Sequence, residues 1–538
     1  MKKTILLGVS AIGLIASSQA FAQAGPAEST APATPDSVFA DDAANRTMPA
    51  FQTGVPYVTN NYGDGLEDAG ADVTRDAACA GATNCSDIDQ EAGASDASGN
   101  EASVTQNGSF GFADVTQSGI AGMAARNNRV DITQNGTGDN RTKVVQQGQE
   151  SLALVSQTSA GGDANQVNIL QESPDAGGPA VGGYDAAAGF SASKVADITQ
   201  DGSGNSAKLR QSDQSYNNNG VNSGQNQLIK VDQSGLSNSF EGVQTDANST
   251  IVATQNPGSV NNAIRAEQLG ANGNAAGSSA MHTQSGSDNI SFSRQFANGG
   301  ATLTVDQSGV ANFSAVEQGS DRAAGGETEM YVKSSVADID QIGDGNTSLV
   351  SQRGFTNVDG YNSAGNAYAR VRQEGDNNIA LVQQIGGSPG DQFNARGQSA
   401  TVEQYGTIAG SGNTANVFQT DADANANNQV AKITQGTSGA GVSGNSATIE
   451  QRGASAVDYN PLNTAEITQL KDGNNASIFQ TGGLQAATIL QDGVGNDAVT
   501  DQSGSSNTAN VSQYSDENLS TVTQTGLGNT ATVTQGTP

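Results

Sequence analysis

Polar and apolar residues alternate strictly in a short unit that recurs along most of the chain. In its last copy, Asn529, Ala531, Val533 and Gln535 occupy every second position, and threonines stand between them. Side chains on a β-strand alternate between two faces, so the unit predicts a short strand whose inner face carries Asn, Ala, Val and Gln. The residues around Gly526, before this strand, have the composition of a turn.

The spacing of the strand-ending glutamines contains a second signal. About 31 such glutamines follow residue 98, usually with Val or Ile two positions earlier and Asn six positions earlier. Taken in pairs they mostly lie about 11 residues apart, as Gln200 and Gln211 do, whereas longer insertions separate the pairs, as between Gln171 and Gln200. The spacing predicts two strands per coil, with tight turns on one edge and variable loops on the other.

The repeat predicts an all-β fold, a two-strand-per-coil parallel β-solenoid of about 15 coils, because stacking gives each strand a partner and a shared core. Buried amides need hydrogen-bond partners, and identical amides in successive coils can supply them as ladders along the axis. The predicted ladder and assembly residues are Gln200, Asn205, Gln211, Gln341, Asn346, Gln352, Gln373, Asn378, Gln384, Gln491, Asn496, Gln502, Asn507, Gln513, Gln524, Asn529, Ala531, Val533 and Gln535.

Two segments precede the solenoid predicted for residues 98–538. Residues 1–22 combine a basic start, an apolar run and a small-residue cleavage site after Ala22, which predicts a secretory signal peptide; an uncleaved membrane anchor is the alternative. No later segment is apolar enough to span a membrane, so we expect an exported mature protein. Residues 23–97, rich in Ala, Asp, Gly and Pro, predict a flexible segment. Cys79 and Cys85 could close a disulfide there, or remain free thiols.

Composition narrows the function classes. The 54 acidic residues against 23 basic ones give a net charge of −31, which argues against nucleic acid as a partner. Aromatic residues make up 4% of the chain and Trp is missing, so the sequence lacks the material for several aromatic-rich globular cores. Low hydrophobicity would also suit a disordered chain, but the strict periodicity argues against disorder.

The repeat resembles the curlin repeat of bacterial curli fibre subunits, Ser-x5-Gln-x-Gly-x-x-Asn-x-Ala-x3-Gln. The stretch from Ser335 through Gln341, Gly343 and Asn346 to Gln352 follows this pattern, with Ser348 in the Ala position. The half-repeats from Gln200 to Gln211, Gln373 to Gln384, Gln491 to Gln502, Gln502 to Gln513 and Gln524 to Gln535 match its second part. The resemblance covers residues 98–538.

This resemblance implies a secreted, non-enzymatic protein at the surface of a Gram-negative bacterium that self-associates into amyloid-like adhesive and biofilm fibres. It further implies an outer-membrane curli export pore and a nucleator subunit as partners, and no cofactor. The many repeats, long insertions and two cysteines depart from familiar curlins and leave three roles open: fibre subunit, nucleator or surface rod. The runner-up function is a monomeric β-solenoid adhesin that binds through its loop-bearing edge.

Other candidate sites favour structural interpretations. His282 stands where Val or Ile is the rule and is interpreted as a tolerated misfit in a region, from Gln233 to Gln295, that we expect to be the least regular of the rod. Acidic Gly-rich turns such as Asp344-Gly345 resemble calcium-binding rolls but lack their nine-residue period, so ordinary turn chemistry is favoured. Outward threonine rows are too incomplete for an ice-binding face, and no catalytic constellation is visible.

Overall fold

The computed structural model describes residues 84–91, 99–119, 127–173, 193–212, 226–245, 248–270, 277–297, 300–319, 332–333, 335–354, 364–365, 367–386, 397–407, 411–420, 429–453 and 462–538. These residues contain β-strands and turns and no helix. The predicted signal peptide, Cys79 and most of the segment 23–97 lie outside the described residues. Within the described part, no helical segment has the length and hydropathy needed to cross a bilayer.

In chain order the strands are β1 (Asn84–Gln90), β2 (Glu101–Gly108), β3 (Gly111–Ser118), β4 (Arg129–Gly136), β5 (Asn140–Gly148), β6 (Ser151–Ser159), β7 (Asn165–Ser173), β8 (Lys194–Ser203), β9 (Ser206–Ser212), β10 (Gln227–Leu236), β11 (Ser239–Gln244), β12 (Thr250–Val260), β13 (Ala263–Gly270), β14 (Ser279–Ser287), β15 (Ile290–Ala297), β16 (Thr302–Val310), β17 (Phe313–Gln318), β18 (Val332–Lys333), β19 (Val336–Ile342), β20 (Thr347–Gly354), β21 (Ala364–Gly365), β22 (Tyr368–Glu374), β23 (Ile379–Gly386), β24 (Ser399–Tyr405), β25 (Thr414–Thr420), β26 (Val430–Gln435), β27 (Ser446–Arg452), β28 (Thr464–Gln469), β29 (Asn475–Gly483), β30 (Ala486–Gln491), β31 (Asp497–Ser505), β32 (Thr508–Gln513), β33 (Leu519–Leu527) and β34 (Thr530–Gln535).

The strands form two parallel sheets that run the length of the rod. Sheet 2 contains 16 strands in the order β2, β4, β6, β8, β10, β12, β14, β16, β19, β22, β24, β26, β28, β30, β32 and β34. Sheet 1 contains the other 18, of which β18 and β21 are two-residue additions. Successive coils pair in register with glutamine on glutamine, as Gln491 on Gln513 and Gln502 on Gln524 show. The predicted two-strand-per-coil β-solenoid is confirmed, with 16 levels instead of about 15.

The additional level comes from β1, which lies ahead of the boundary that the sequence placed at residue 98. It pairs in parallel with β3, and Gln90 is opposite Gln117. Its inner positions, Asn84, Ser86, Ile88 and Gln90, follow the repeat at the same even offsets. The solenoid therefore begins within the segment assigned to a flexible leader, and this half-repeat is the signal that could have shown it.

A continuous apolar core lies between the two sheets. Most strands contribute Ala four positions before the glutamine and Val or Ile two positions before it, as Ala431 and Ile433 do in β26. Three neighbouring strands reverse this order of sizes, with Phe240 before Gly242, Ile251 before Ala253 and Ile264 before Ala266, and all but glycine belong to the buried core. A Cβ on Gly242 would lie 2.7 Å from the Phe240 ring. The Phe240 ring therefore occupies the inner space beside Gly242.

Turn glycines stack on one another as closely as the strands do. Gly504 has φ of +111°, and a Cβ there would lie 2.1 Å from the carbonyl oxygen of Gly526 in the next coil. Gly482 has the same relation to Gly504, at 1.8 Å. Only glycine combines positive φ with this approach of two backbones. The geometry explains the Gly two positions after the glutamine in the repeat.

Candidate functional site: amide ladders and the terminal coil

An unbroken glutamine ladder runs along each sheet. Up to the last coil, the side-chain amide nitrogen of each strand-ending glutamine donates to the Oε1 atom of the glutamine in the following coil, over 2.8–3.0 Å in sheet 2. The corresponding distances in sheet 1 are 2.6–3.0 Å. All bonds point the same way, so each ladder has an N-terminal acceptor end and a C-terminal donor end.

The same amide nitrogens also connect the two sheets. Nε2 of Gln200 in sheet 2 donates to the backbone oxygen of Gln166 in sheet 1 at 3.0 Å, and Nε2 of Gln211 in sheet 1 donates to that of Val195 in sheet 2 at 3.1 Å. Both amide hydrogens therefore have acceptors although the side chains are buried. An unpaired buried donor costs about 1–3 kcal/mol, which explains why glutamine and not leucine ends each strand.

A second ladder, of asparagines, runs along sheet 1 in the opposite direction. From Asn205 to Asn518, the backbone N–H of each asparagine donates to Oδ1 of the asparagine in the preceding coil over 2.7–3.2 Å. In sheet 2 the equivalent position often carries Ser or Gln, such as Ser249 and Gln429. An asparagine pair returns there at the C-terminal end, where the Asn529 N–H donates to Asn507 at 3.0 Å.

Of the 19 predicted ladder and assembly residues, 15 fall into these three rows; Asn507 and Asn529 form the asparagine pair of sheet 2, and Ala531 and Val533 lie on the inner face of β34. The sheet 2 glutamine row contains Gln200, Gln341, Gln373, Gln491, Gln513 and Gln535, and the sheet 1 glutamine row contains Gln211, Gln352, Gln384, Gln502 and Gln524. The sheet 1 asparagine row contains Asn205, Asn346, Asn378 and Asn496. The sequence pattern groups the asparagines of both sheets in one set, because the period of the repeat and the offset from asparagine to glutamine are the same in both sheets.

The last coil is open on its outer side. Among the described residues, β33 pairs only with β31 and β34 only with β32. Ala531 and Val533 are half-buried, whereas Ala509 and Val511 one coil earlier are 0% and 1% exposed. Leu519 and Leu527 are 68% and 77% exposed. This coil therefore presents an apolar inner face and unpaired backbone groups at once.

His282 has specific partners in the core. Its Nδ1 atom lies 2.7 Å from the Ser291 hydroxyl and its Nε2 atom 2.9 Å from the Ser293 hydroxyl, both on the facing strand β15. Burial lowers the pKa of His282 to about 3. Ser291 and Ser293 replace the usual Ala and Val or Ile, so the three substitutions form one buried polar cluster. His282 thus stands at a degenerate position of the repeat, as interpreted from the sequence, and the two serines of the facing strand provide its ring with hydrogen-bond partners.

Aspartates in the turns bind backbone groups of neighbouring coils. Oδ1 of Asp344 accepts from the Val310 N–H at 2.8 Å, and Oδ1 of Asp376 accepts from the Asp344 N–H at 3.1 Å. The described residues contain no group of three side chains suited to hold a metal ion. Cys85 does not carry a free thiol. Its pairing with Cys79 stays a prediction, because Cys79 lies outside the described residues.

The C-terminal coils match a known family. The model of the Curlin associated repeat matches residues 486–514 and 507–536, which span β30 to β34. No curated protein matches the chain. These repeats and the β-solenoid are those of a structural protein. The coils from residue 486 to residue 536 are therefore identified as Curlin associated repeats.

Proposed function

We propose that the chain is an extracellular structural subunit that polymerises end to end into amyloid-like adhesive and biofilm fibres on a bacterial surface. The observation that supports this most is the open last coil, where the glutamine ladders end at Gln524 and Gln535 and the core residue Val533 is only half-buried. An exposed parallel strand with unpaired N–H and C=O groups templates further strands.

The two ends of the rod complement each other. In the first coils, Oε1 of Gln90 and of Gln106 accepts from no glutamine of the described residues, whereas Gln524 and Gln535 end the donor side of the ladders. Stacking one copy on another would continue both rows in the same direction. Such a contact joins two different surfaces and does not close on itself, so it generates a filament.

The side chains also match in register. With β34 placed on β2 as the next coil, Ala531 meets Ala102 and Val533 meets Val104, and Gln535 meets Gln106. With β33 placed on β1, Gln524 meets Gln90. The pairs are those that occur inside the rod, so the contact between copies would repeat the contact between coils.

Export and partners follow from the sequence and the repeat family. A secretory signal peptide at residues 1–22 would deliver the chain to the cell exterior. The proposal includes an outer-membrane export pore and a nucleator subunit as partners, as the resemblance to curli subunits implies. The net charge of −31 keeps unassembled chains apart until the ends meet.

Electron microscopy and thioflavin binding of the purified mature protein over time test this function. We expect unbranched fibres whose growth is accelerated by preformed seeds. Val533→Pro removes a backbone N–H donor from β34 and should stop elongation without loss of β-structure in the soluble chain. Thr537→Pro, which lies beyond β34, is the matched control and should elongate normally. A wild-type chain that stays monomeric would favour the alternative, a solenoid adhesin that binds through its loop-bearing edge.

A further inference from the structure

A buried charge cluster lies on the outer face of sheet 1, away from the ladders. It consists of Glu241 in β11, Arg265 and Glu267 in β13, Arg294 in β15 and Glu317 in β17, and is called the Arg265 network below. Arg265, Glu267 and Glu317 are 3%, 5% and 2% exposed. Charged side chains are rarely buried to this degree unless they are paired.

The network links successive coils through opposite charges. Arg265 Nη1 lies 3.4 Å from Glu241 in the preceding coil, and Arg265 Nη2 lies 2.5 Å from Glu267 on its own strand. Arg294 Nε lies 2.6 Å from Glu267 of the preceding coil. Both guanidinium groups also lie within 6.0 Å of the Phe292 ring centroid. Burial alone would raise the pKa of Glu267, but Arg294 and Arg265 outweigh it and lower the pKa to about 2.

The interior of the rod contains little information about the order of its coils. Every coil offers glutamine to glutamine, and most coils offer a small residue and a branched residue to the same types above and below. The strands β11 to β15 depart from this pattern of sizes but keep their glutamines in register. A chain that skipped one coil would therefore rebuild the same ladders with one coil fewer. The stability of such arrays depends on contacts between neighbouring coils. An arrangement that skips one coil is therefore close in free energy to the native arrangement, unless particular residues distinguish one coil from the next.

We propose that the Arg265 network fixes the order in which the central coils stack. If the β14–β15 coil were skipped, β13 would stack on β17, and Glu267 would face Glu317 while Arg265 would face Ala315. If the β12–β13 coil were skipped, β11 would stack on β15, and Glu241 would face Phe292 without its arginine. Each error leaves a buried charge without its counter-charge, which is strongly unfavourable. The inference concerns the folded chain alone and is independent of polymerisation.

The order of coils can be measured by disulfide trapping on the opposite face of the rod. Val252, Met281 and Thr304 occupy one row on the outer face of sheet 2, in β12, β14 and β16. Neighbouring coils lie about 4.8 Å apart, within disulfide reach, and second neighbours about 9.6 Å apart, beyond it. Val252→Cys with Met281→Cys therefore reports the native order, and Val252→Cys with Thr304→Cys reports a skipped β14–β15 coil. Linked peptides are identified by mass spectrometry after refolding and oxidation.

Glutamine at all five positions of the Arg265 network removes the charges and keeps side chains of similar size. We expect the yield of the 252–304 link to rise at least about tenfold over the parent chain. The matched control neutralises two partly exposed ion pairs of sheet 2, Arg370 with Asp338 and Arg372 with Asp340, and should leave the 252–304 yield unchanged. A five-glutamine variant that refolds with the parental yield of the 252–281 link and without the 252–304 link would overturn the proposal.

Reversal of every charge tests pairing apart from stability. Glu241→Arg, Arg265→Glu, Glu267→Arg, Arg294→Glu and Glu317→Arg together restore opposite charges in each native contact. This variant should give the 252–281 link at the parental yield and no 252–304 link. If the five-glutamine variant fails to refold, the charge-reversed variant alone tests the proposal. A 252–304 link in the charge-reversed chain would contradict an ordering role of the Arg265 network.

Discussion

Gln373 donates a side-chain hydrogen bond of 2.9 Å to Gln404 in the next coil of sheet 2. Its Nε2 atom also donates to the Thr347 carbonyl oxygen in sheet 1 at 3.0 Å, and its Oε1 atom accepts from Gln341 in the preceding coil at 2.8 Å. One amide thus satisfies groups in three other strands. Each glutamine inside the ladder therefore has two glutamine partners, one in the preceding coil and one in the following coil.

Replacement of a ladder glutamine by leucine should be costly in the middle of the rod. In Gln373→Leu, the amide of Gln341 loses its acceptor and the oxygen of Gln404 loses its donor, so we expect a loss of about 2–4 kcal/mol of unfolding free energy. Gln535→Leu breaks one ladder bond, from Gln513, and an exposed bond to the Leu519 carbonyl oxygen, and should cost roughly half as much. Denaturant unfolding of the soluble chains measures both, and equal losses would contradict the ladder account.

The stacked turn glycines provide a second test with internal controls. A Cβ in Gly504→Ala would collide with the Gly526 carbonyl, so we expect a loss of at least about 2 kcal/mol. Gly526→Ala meets no backbone within its own chain and should cost about 1 kcal/mol from its positive φ.

Fibre growth should distinguish substitution of Gly526 from substitution of Gly528. If another copy stacks on the last coil, the Cβ of Gly526→Ala points toward the added copy as a Cβ on Gly504 points toward Gly526, and elongation from wild-type seeds should slow strongly. Gly528→Ala has open space around it, and non-glycine residues such as Ser506 adopt positive φ at the equivalent place, so it should elongate normally. Equal elongation rates for the two variants would argue against stacking at this turn.

Much of the fold could be predicted because the same pattern of inner-face residues recurs in many strands. The even offsets of Val533 and Gln535 fix the inner face, and the spacing from Gln200 to Gln211 fixes two strands per coil. The half-repeat around Ile88 was missed because one copy beside a non-periodic segment does not establish a period. The length and composition of residues 23–97 obscured it.

Features that depend on which side chains meet in the folded rod could not be predicted. From the sequence, Gly242 predicts a loss of buried apolar area at its position. In the structure the Phe240 ring occupies the space beside it. His282 reads as a misfit because its partners, Ser291 and Ser293, lie on another strand. Arg265 stands at an outward position, where charge normally means exposure, and its burial depends on the tertiary surroundings of sheet 1.

The buried imidazole of His282 makes stability depend on pH. Its pKa is about 3 in the folded chain against about 6.5 when unfolded, so the unfolded chain binds the extra proton between these values. Stability should therefore fall as pH drops from about 6.5 towards 3, and His282→Val should reduce this slope by about 1.4 kcal/mol per pH unit. Thr500→Val, another buried polar-to-apolar change, should leave the slope unaltered. Identical slopes for His282→Val and the wild type would contradict the burial of a neutral imidazole.

Charge repulsion should limit the rate of assembly. Copies with a net charge of −31 repel one another, and moderate salt screens this repulsion over roughly 8–10 Å. We expect seeded elongation to accelerate with added sodium chloride and at lower pH, and sucrose at equal osmolarity to have little effect. Elongation rates that respond to neither salt nor pH would remove charge as the limiting factor.

The contact between copies is tested most directly by disulfide trapping across the fibre joint. Thr532 in β34 and Ser103 in β2 are both exposed and would become neighbours if the last coil of one copy stacks on the first coil of the next. We mix a Thr532→Cys chain with a Ser103→Cys chain, allow fibres to form and identify linked peptides by mass spectrometry. The account predicts a 532–103 link in fibres and not in the soluble mixture. Fibres without this link, or a link that forms equally in the soluble mixture, would contradict end-to-end stacking.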